Sequence, residues 1–331
     1  MQIAITGVTG CLGQPLVEKL INDGFQIRVL VLPDDSLMSS IKNKVHVITG
    51  SLDSSEVLDL LTRDCEIVFH LAGKVHSTPR TSFEEHDFYQ VNVEGTRSLL
   101  RAASINKVKK VLFYSTVGVI GKDADFHGDE LSECEPVSVY ARSKYLAEQE
   151  VINSSKHGGP DSVVLRFPVV YGPQDRGNVA KLIEAIYKRD FFYFGDGRCS
   201  RSMISSKNAA EAAFMAAFAL KANNEIFCVT DGQDYKLQEL VESICQALRT
   251  NWRPFHIPIS IAELVGKVGD LVEKYAKISF PINSARVMKL SRPLTFSCEK
   301  AKQVFGYEPL ETLEEGIFRE VEWLKKTKDW R

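Results

Sequence analysis

Thr6-Gly7-Val8-Thr9-Gly10-Cys11-Leu12-Gly13 is the stretch on which the fold turns. An apolar run from Gln2 to Thr6 precedes it, and Leu12, Leu16, Val17, Leu20 and Ile21 follow at the spacing of an amphipathic helix. Strand, glycine turn and helix start thus come in succession. Glycines in such a turn admit backbone angles that other residues resist and leave no side chain where a pyrophosphate must come close. The opening helix adds free N–H groups and a positive dipole end. An ordinary tight turn uses the same residues, so position carries the reading: a strand already under way at Met1 marks the first βα unit of a doubly wound sheet. Its ligand, a dinucleotide phosphate, is expected at the strand C-terminal ends.

Outward from the turn, strands and helices alternate with short links, which predicts parallel strands and right-handed crossovers. Gln26 to Leu32 reads as the second strand, ended by Pro33-Asp34-Asp35. The acid that holds ribose hydroxyls in NAD-binding folds lies about 20 residues past the glycines, which puts Asp34 near that place and Leu32 at the strand end itself. Val45 to Ile48, Glu66 to Gly73 and Lys110 to Ser115 read as further strands, the second of them ending in small residues that leave room for a ligand. A helix from about Asp87 to Ile105 is expected to turn Val91, Leu99 and Ala102 inward, with Asn92 among them. A helix to about Ser154, a strand from Ser162 to Phe167 and a short strand from Glu225 to Val229 complete the pattern. The expected fold is α/β, a doubly wound parallel-sheet Rossmann domain formed by residues 1–172 and about 203–231. Residues 173–202 and 232–331 are expected to form a smaller, mainly helical substrate lobe.

The 331 residues carry 44% hydrophobic and 25% charged side chains and a formal net charge of −2, so no electrostatic argument favours a nucleic-acid partner. Seven scattered cysteines without a C-x-x-C pair suggest reduced thiols in a cytoplasm rather than a disulfide framework or a zinc ribbon. No apolar run reaches membrane-spanning length, and neither a leader peptide nor a metal site is expected. His70, inside the apolar run from Ile67 to Leu71, reads as a satisfied buried imidazole. The aromatic run Phe191 to Phe194 reads as lobe packing.

Tyr140 and Lys144 stand four residues apart at a helix start, so both project from one face, separated by about 6 Å along the axis. A surface pair has the same spacing, but a catalytic use is also open. Each pKa unit is roughly 1.4 kcal/mol, so a tyrosine acting as a base near neutrality needs about 4 kcal/mol of differential stabilisation. A nearby ammonium and a positively charged nicotinamide ring supply charge of the required sign.

Joined to the rest of the chain, this pair becomes specific. Gly7-x-x-Gly10-x-x-Gly13, His70-Leu71-Ala72-Gly73, Asn92-Val93-Glu94-Gly95-Thr96, Tyr114-Ser115-Thr116-x-x-x-x-Gly121, Tyr140-x-x-x-Lys144 and Arg166-x-x-x-Val170-Tyr171-Gly172-Pro173 follow one another in the order seen in extended short-chain dehydrogenases. The chain resembles a full-length member of that group, the NAD-dependent epimerase/dehydratase family. By this resemblance Tyr140 is the general acid/base, Lys144 holds the nicotinamide ribose and lowers the tyrosine pKa, and Thr116 bonds the reacting substrate oxygen. Thr116 is preferred to Ser115 because relatives place that hydroxyl five residues before the glycine matching Gly121. The resemblance also assigns Gly7, Gly10, Cys11, Leu12, Gly13 and Asp34 to the cofactor's phosphates and ribose. Ser51, Leu52, Leu71, Ala72, Gly73 and Asn92 would line the cofactor, as would Ser115, Phe167 and Val169 beside Tyr140 and Lys144. NAD is the expected cofactor and NADP the alternative, since Ser51 and Leu32 stand where relatives often carry the residues that choose between them.

The second half is similar to the nucleotide-sugar branch. Gly177-Asn178, Gly195-Asp196-Gly197, Arg201-Ser202-Met203, Phe305-Gly306-Tyr307-x-Pro309 and Leu313-Glu314-Glu315-Gly316 match segments such enzymes place around a nucleoside diphosphate. Asn178 and Arg201 are therefore expected to bind substrate with Thr116 and Tyr140, Arg201 as a diphosphate clamp, since a guanidinium makes forked bonds to phosphate oxygens. Many sugar-nucleotide enzymes carry asparagine where this chain has Val169, which keeps an apolar substrate in view. Three readings follow: an epimerase or reductase acting on a nucleotide sugar, a dehydrogenase resembling the 3β-hydroxysteroid type, and a cofactor-bound protein without turnover. By the same resemblance the helices near 87–105 and 139–152 are expected to pair in a homodimer.

Overall fold

The computed structural model describes residues 1–35, 37, 39–75, 79, 81–122, 124–276, 283–328 and 330. Its strands are β1 (Gln2–Thr6), β2 (Gln26–Val31), β3 (His46–Thr49), β4 (Ile67–His70), β5 (Lys110–Thr116), β6 (Phe126–Gly128), β7 (Asp161–Phe167), β8 (Val169–Tyr171), β9 (Tyr193–Phe194), β10 (Ser200–Ser205), β11 (Glu225–Cys228), β12 (Asp234–Lys236), β13 (His256–Ile257) and β14 (Leu294–Phe296). Seven of them form a parallel sheet in the order β11-β7-β5-β4-β1-β2-β3. The order reverses between β1 and β4, where Thr6 lies opposite His70. A reversal of this kind opens a crevice at the strand C-terminal ends, and the glycine turn after β1 borders it.

Alternation along the strands builds a core on each face of the sheet. Ile3 and Ile5 of β1, with Leu112 and Tyr114 of β5, pack among α1 (Gly13–Asn22) and the alanine-rich α8 (Ser206–Phe218). Ala4, Val111 and Phe113 face the other way. There they meet α3 (Ser55–Thr62), α5 (Gly95–Ile105) and α6 (Val139–Lys156). Between α1 and α3 runs the short α2 (Ser39–Lys42), and α4 (Ser82–Tyr89) leads without a break into a π-helical turn, Gln90–Glu94, and then α5.

That π turn corrects one expectation. Val91 is 38% exposed rather than inward, while Asn92 and Val93 are buried. An extra residue per turn rotates the helix face, and a uniform period of 3.6 does not anticipate it.

A third core packs α7 (Asn178–Tyr187), α9 (Leu237–Leu248) and α13 (Leu313–Thr327) around Tyr171, Tyr193, Met203 and Tyr235. Beside them lie a second sheet in the order β12-β10-β14-β6, with β8 pairing β10, and a β13–β9 pair. The helices α10 (Ile259–Ala276), α11 (Ser284–Ser291) and α12 (Glu299–Phe305) complete the chain. Phe191 packs edge to face with Tyr193, and Phe192 edge to face with Phe194, in two apolar clusters. Among the described residues no helix is long and apolar enough to cross a membrane.

Candidate active site

The glycine turn shows two kinds of glycine. Gly7 sits at φ +75°, and a Cβ there would lie 2.4 Å from the Ala72 backbone nitrogen, so the end of β4 demands glycine. Gly13 meets Val8 backbone atoms as closely, which lets α1 pack against the turn. Gly10 is different. It is exposed, a Cβ on it would find only the Gly7 carbonyl at 3.7 Å, and its φ lies outside the range that requires glycine. Nothing in the protein needs a bare backbone there, as expected of a surface kept open for a pyrophosphate. Leu12 caps α1 without a side-chain hydrogen bond and no acid lies in the first turn, so the positive end of the helix dipole is left open to an anion. These residues fit a dinucleotide.

At the ribose end, β2 stops at Val31 and leaves Leu32 50% exposed. Asp34 is exposed, and it is its neighbour Asp35 whose carboxylate accepts the Thr9 hydroxyl of the turn at 2.8 Å. Ser51 hydrogen-bonds Asp53, and Leu52 seats against Gly95 at the start of α5. Cys11 directs its thiol at the Gly172 carbonyl, 3.8 Å away. Burial first, and then the nearby Asp175 and Glu320 carboxylates, push that thiol well above the ordinary range, so it stays neutral. Phe167, at the end of β7, is buried against Tyr114, and Val169 is exposed at the start of β8.

The end of β4 is tied to its neighbours by a hydrogen-bond chain of one polarity. Thr96 spends its hydroxyl hydrogen on the Asn92 carbonyl at 2.6 Å, so it must accept from His70 Nε2 at 2.8 Å. His70 Nδ1 then accepts from the Thr6 hydroxyl at 2.7 Å, which in turn accepts the Ala72 N–H at 3.2 Å. Burial, reinforced by the charge of Lys144, pushes the imidazole down to about 3. His70 is therefore the neutral, satisfied residue expected. Asn92 joins the same region to α6: its Oδ1 accepts the Lys74 N–H at 2.7 Å and its Nδ2 donates to Ser143 Oγ at 2.8 Å.

Ser138 caps α6 by accepting the Ala141 N–H at 3.1 Å, which sets Tyr140 in the first turn and Lys144 one turn on. Thr116, at the end of β5, accepts the Gly118 N–H at 3.1 Å, so its own hydrogen is available to Tyr140, whose phenol it pulls down. Lys144, one turn on from Tyr140, lies beside Gly73, where a Cβ would lie 3.7 Å from its Nζ. Lys144 is 4% exposed, and burial, opposed by Glu148, brings its ammonium down to about 7. In the chain alone burial pushes Tyr140 up to about 12, with the Thr116 bond pulling the other way.

Glu148 escaped the reading of the sequence. It is fully buried one turn beyond Lys144, bonded by Ser115 and, through both oxygens, by Arg166 at 3.1 and 2.8 Å. A carboxylate at the third step of the 140, 144 series was the available signal. Asp175 also escaped it: its two oxygens accept the Gly177 and Ala180 N–H groups at 2.7 and 3.0 Å and so cap α7. Asn178 is exposed at the start of that helix, and Arg201 is half-buried on β10 opposite Tyr235 and Leu294.

The family described as "NAD dependent epimerase/dehydratase family" matches residues 3–229. An N-acetyl-alpha-D-glucosaminyl-diphospho-ditrans,octacis-undecaprenol 4-epimerase of Escherichia coli O157:H7 is 28% identical over 97% of this chain and 94% of its own length. A sterol-4-alpha-carboxylate 3-dehydrogenase, decarboxylating, of Mus musculus is 25% identical over 96% and 89%. In three dimensions the UDP-glucose 4-epimerase of Thermus thermophilus, in complex with NAD, superposes with a TM-score of 0.76 at 23% identity, over 99% of this chain and 100% of that one.

Proposed function

The chain belongs to the NAD-dependent epimerase/dehydratase family, and on that premise we propose that it oxidises or reduces a ring secondary alcohol or ketone of a diphosphate-linked sugar. What supports this reading is Thr116 acting on Tyr140 at the end of β5, with Lys144 one turn on and beside Gly73, which follows β4 at the sheet reversal. NAD, when bound, supplies the hydride acceptor and donor. Tyr140 takes the proton of the substrate hydroxyl and returns it, and Thr116 holds the same oxygen in place. The Lys144 ammonium stabilises the phenolate form of Tyr140 and bonds the ribose. Arg201 and Asn178 hold the diphosphate. The relative that acts on a diphospho-undecaprenol sugar supports a diphosphate-bearing substrate, free or lipid-linked.

The exposed Val169, at 37%, favours a second reading, an apolar secondary alcohol such as the sterol-type relative suggests. We also propose a homodimer contact on α5 and α6, where Ile105 and Leu146 are exposed. The test of the main reading is turnover of UDP-sugars with NAD by the parent and by Tyr140→Phe. The variant should bind NAD normally and lose roughly 10²- to 10⁴-fold in rate. Parent-like turnover would make Tyr140 a bystander.

A further inference from the structure

We infer that Glu148 is a positioning residue for the catalytic pair: clamped by Arg166 and Ser115, it holds Lys144 in the charged form from beneath. The inference rests on Lys144 acting with Tyr140 as proposed above. Residues 140, 144 and 148 occupy one face of α6 at successive turns, and that face points into the protein beside β5 and β7. A carboxylate with no solvent exposure is unfavourable unless paired and bonded, and Glu148 is both. Arg166 itself is buried: Nε and Nη2 donate to this carboxylate, Nη2 also to Cys134 Sγ at 3.3 Å, and Nη1 lacks a hydrogen-bond partner among the described residues.

Among the described residues that face Lys144, Glu148 is the one anion. From the end of β4 come Gly73 and the neutral His70; from the π turn, Asn92; from β5, the ring of Phe113; and from α6, Tyr140 as a phenol. Beyond Glu148, Cys134 and Cys228 face Arg166, and burial pushes both thiols up, so neither carries charge. Glu130 accepts the Cys228 N–H on the far side of that group. Without Glu148, two buried cations would stand in one region with no carboxylate between them. Lys144 would then lose its proton at a lower pH, and the ribose contact and the phenolate would lose their ammonium. A buried ion pair kept only for stability is replaceable by neutral groups; one that sets a neighbour's charge is not.

The test is the titration of the Lys144 Nζ resonance in purified protein labelled with ¹⁵N-lysine, assigned by its loss in Lys144→Met. It needs no substrate, so it stands apart from the turnover assay that tests the reaction itself. Glu148→Gln should move the midpoint at least about one pH unit down from a parent value near 7. Glu148→Asp, which restores the charge, should bring it most of the way back. Should Glu148→Gln fail to fold, the double variant Glu148→Gln, Arg166→Met removes both buried charges, and its midpoint should fall by less than in the single variant, because a repelling cation leaves with the carboxylate. An unmoved midpoint in a folded Glu148→Gln or double variant, whatever happens to melting temperature, overturns the inference and leaves Glu148 as a structural tie.

Discussion

Lys144 Nζ stands 4.0 Å above the centroid of the Phe113 ring. The face of an aromatic ring attracts a cation but restores only part of the hydration that burial removes. The ammonium therefore titrates at about 7 in the folded chain.

That depression has a pH signature. A folded-state value below that of free lysine means the folded chain favours the amine. The penalty is absent above a pH of about 10.4, grows as pH falls, and is complete below the folded value. Lys144→Met, purified free of cofactor, should therefore melt higher than the parent, by a few kcal/mol at pH 6 and by almost nothing near pH 10.5. Calorimetry at the two pH values measures it, and an equal gain at both would mean that the amine carries no such penalty.

The two glycines of the turn should fail differently. Gly7→Ala drives a methyl group into the Ala72 backbone at a positive φ and should destabilise the fold by on the order of 3 kcal/mol. At Gly10 an added Cβ meets only the Gly7 carbonyl, at the ordinary contact distance of 3.7 Å, so in Gly10→Val melting should shift little, while NAD affinity falls at least about tenfold because the side chain occupies the proposed pyrophosphate surface. Thermal unfolding beside NAD titration calorimetry separates the two. Parent-like NAD affinity in Gly10→Val would remove the turn from the cofactor site.

Arg201 discriminates between the substrate classes. If it clamps a diphosphate, millimolar UDP should raise the melting temperature of the NAD-bound parent. Arg201→Ala should then weaken UDP binding roughly ten- to a hundredfold, about 1.5 to 3 kcal/mol, with Arg201→Lys recovering only part because lysine lacks the planar fork. No shift in the parent would sink the sugar-nucleotide reading and favour the apolar alcohol.

Glu320 is buried beneath Gly172, whose N–H it accepts at 2.7 Å. Burial first, and then the neighbouring Asp175, raise its carboxyl well above the usual carboxylate range. With the folded value raised, the stability this group contributes is complete below the ordinary carboxylate value near 4.3 and is lost as pH rises through the folded one. Glutamine has the same shape, keeps an acceptor for Gly172 and cannot ionise. Glu320→Gln should match the parent near pH 4.5 and outlast it in thermal unfolding at pH 8.5, and a variant less stable than the parent at the higher pH would contradict this.

Much of the site was legible because its chemistry lies in local spacing. The glycine turn, the Tyr140–Lys144 step and the hydroxyl of Thr116 each rest on a few neighbouring residues whose secondary structure follows from periodicity. The pairing of Glu148 with Arg166 was not legible, because the two meet only once β7 lies beside β5 and α6 crosses over them. That the Asp35 carboxylate reaches Thr9 depends on the turn that follows β2, which spacing alone does not fix. Cys11 turns its side chain toward Gly172, 161 residues further along the chain. Local pattern says nothing about such distant partners.

The π turn at Gln90–Glu94 makes α4, the turn and α5 one uninterrupted rod whose two halves are out of phase. Loops generally tolerate a gained or lost residue, since slack absorbs it. This rod has no slack. Removing a single residue between 90 and 94 would relax it into an ordinary α-helix with better backbone bonding and rotate everything on one side by about 100°. Asn92 would swing off Lys74 and Ser143, and Thr96 off His70, although no residue of the site had been altered. In this protein a length change inside a helix should therefore be as damaging as a substitution in the crevice, and insertions or deletions that preserve function should avoid this segment.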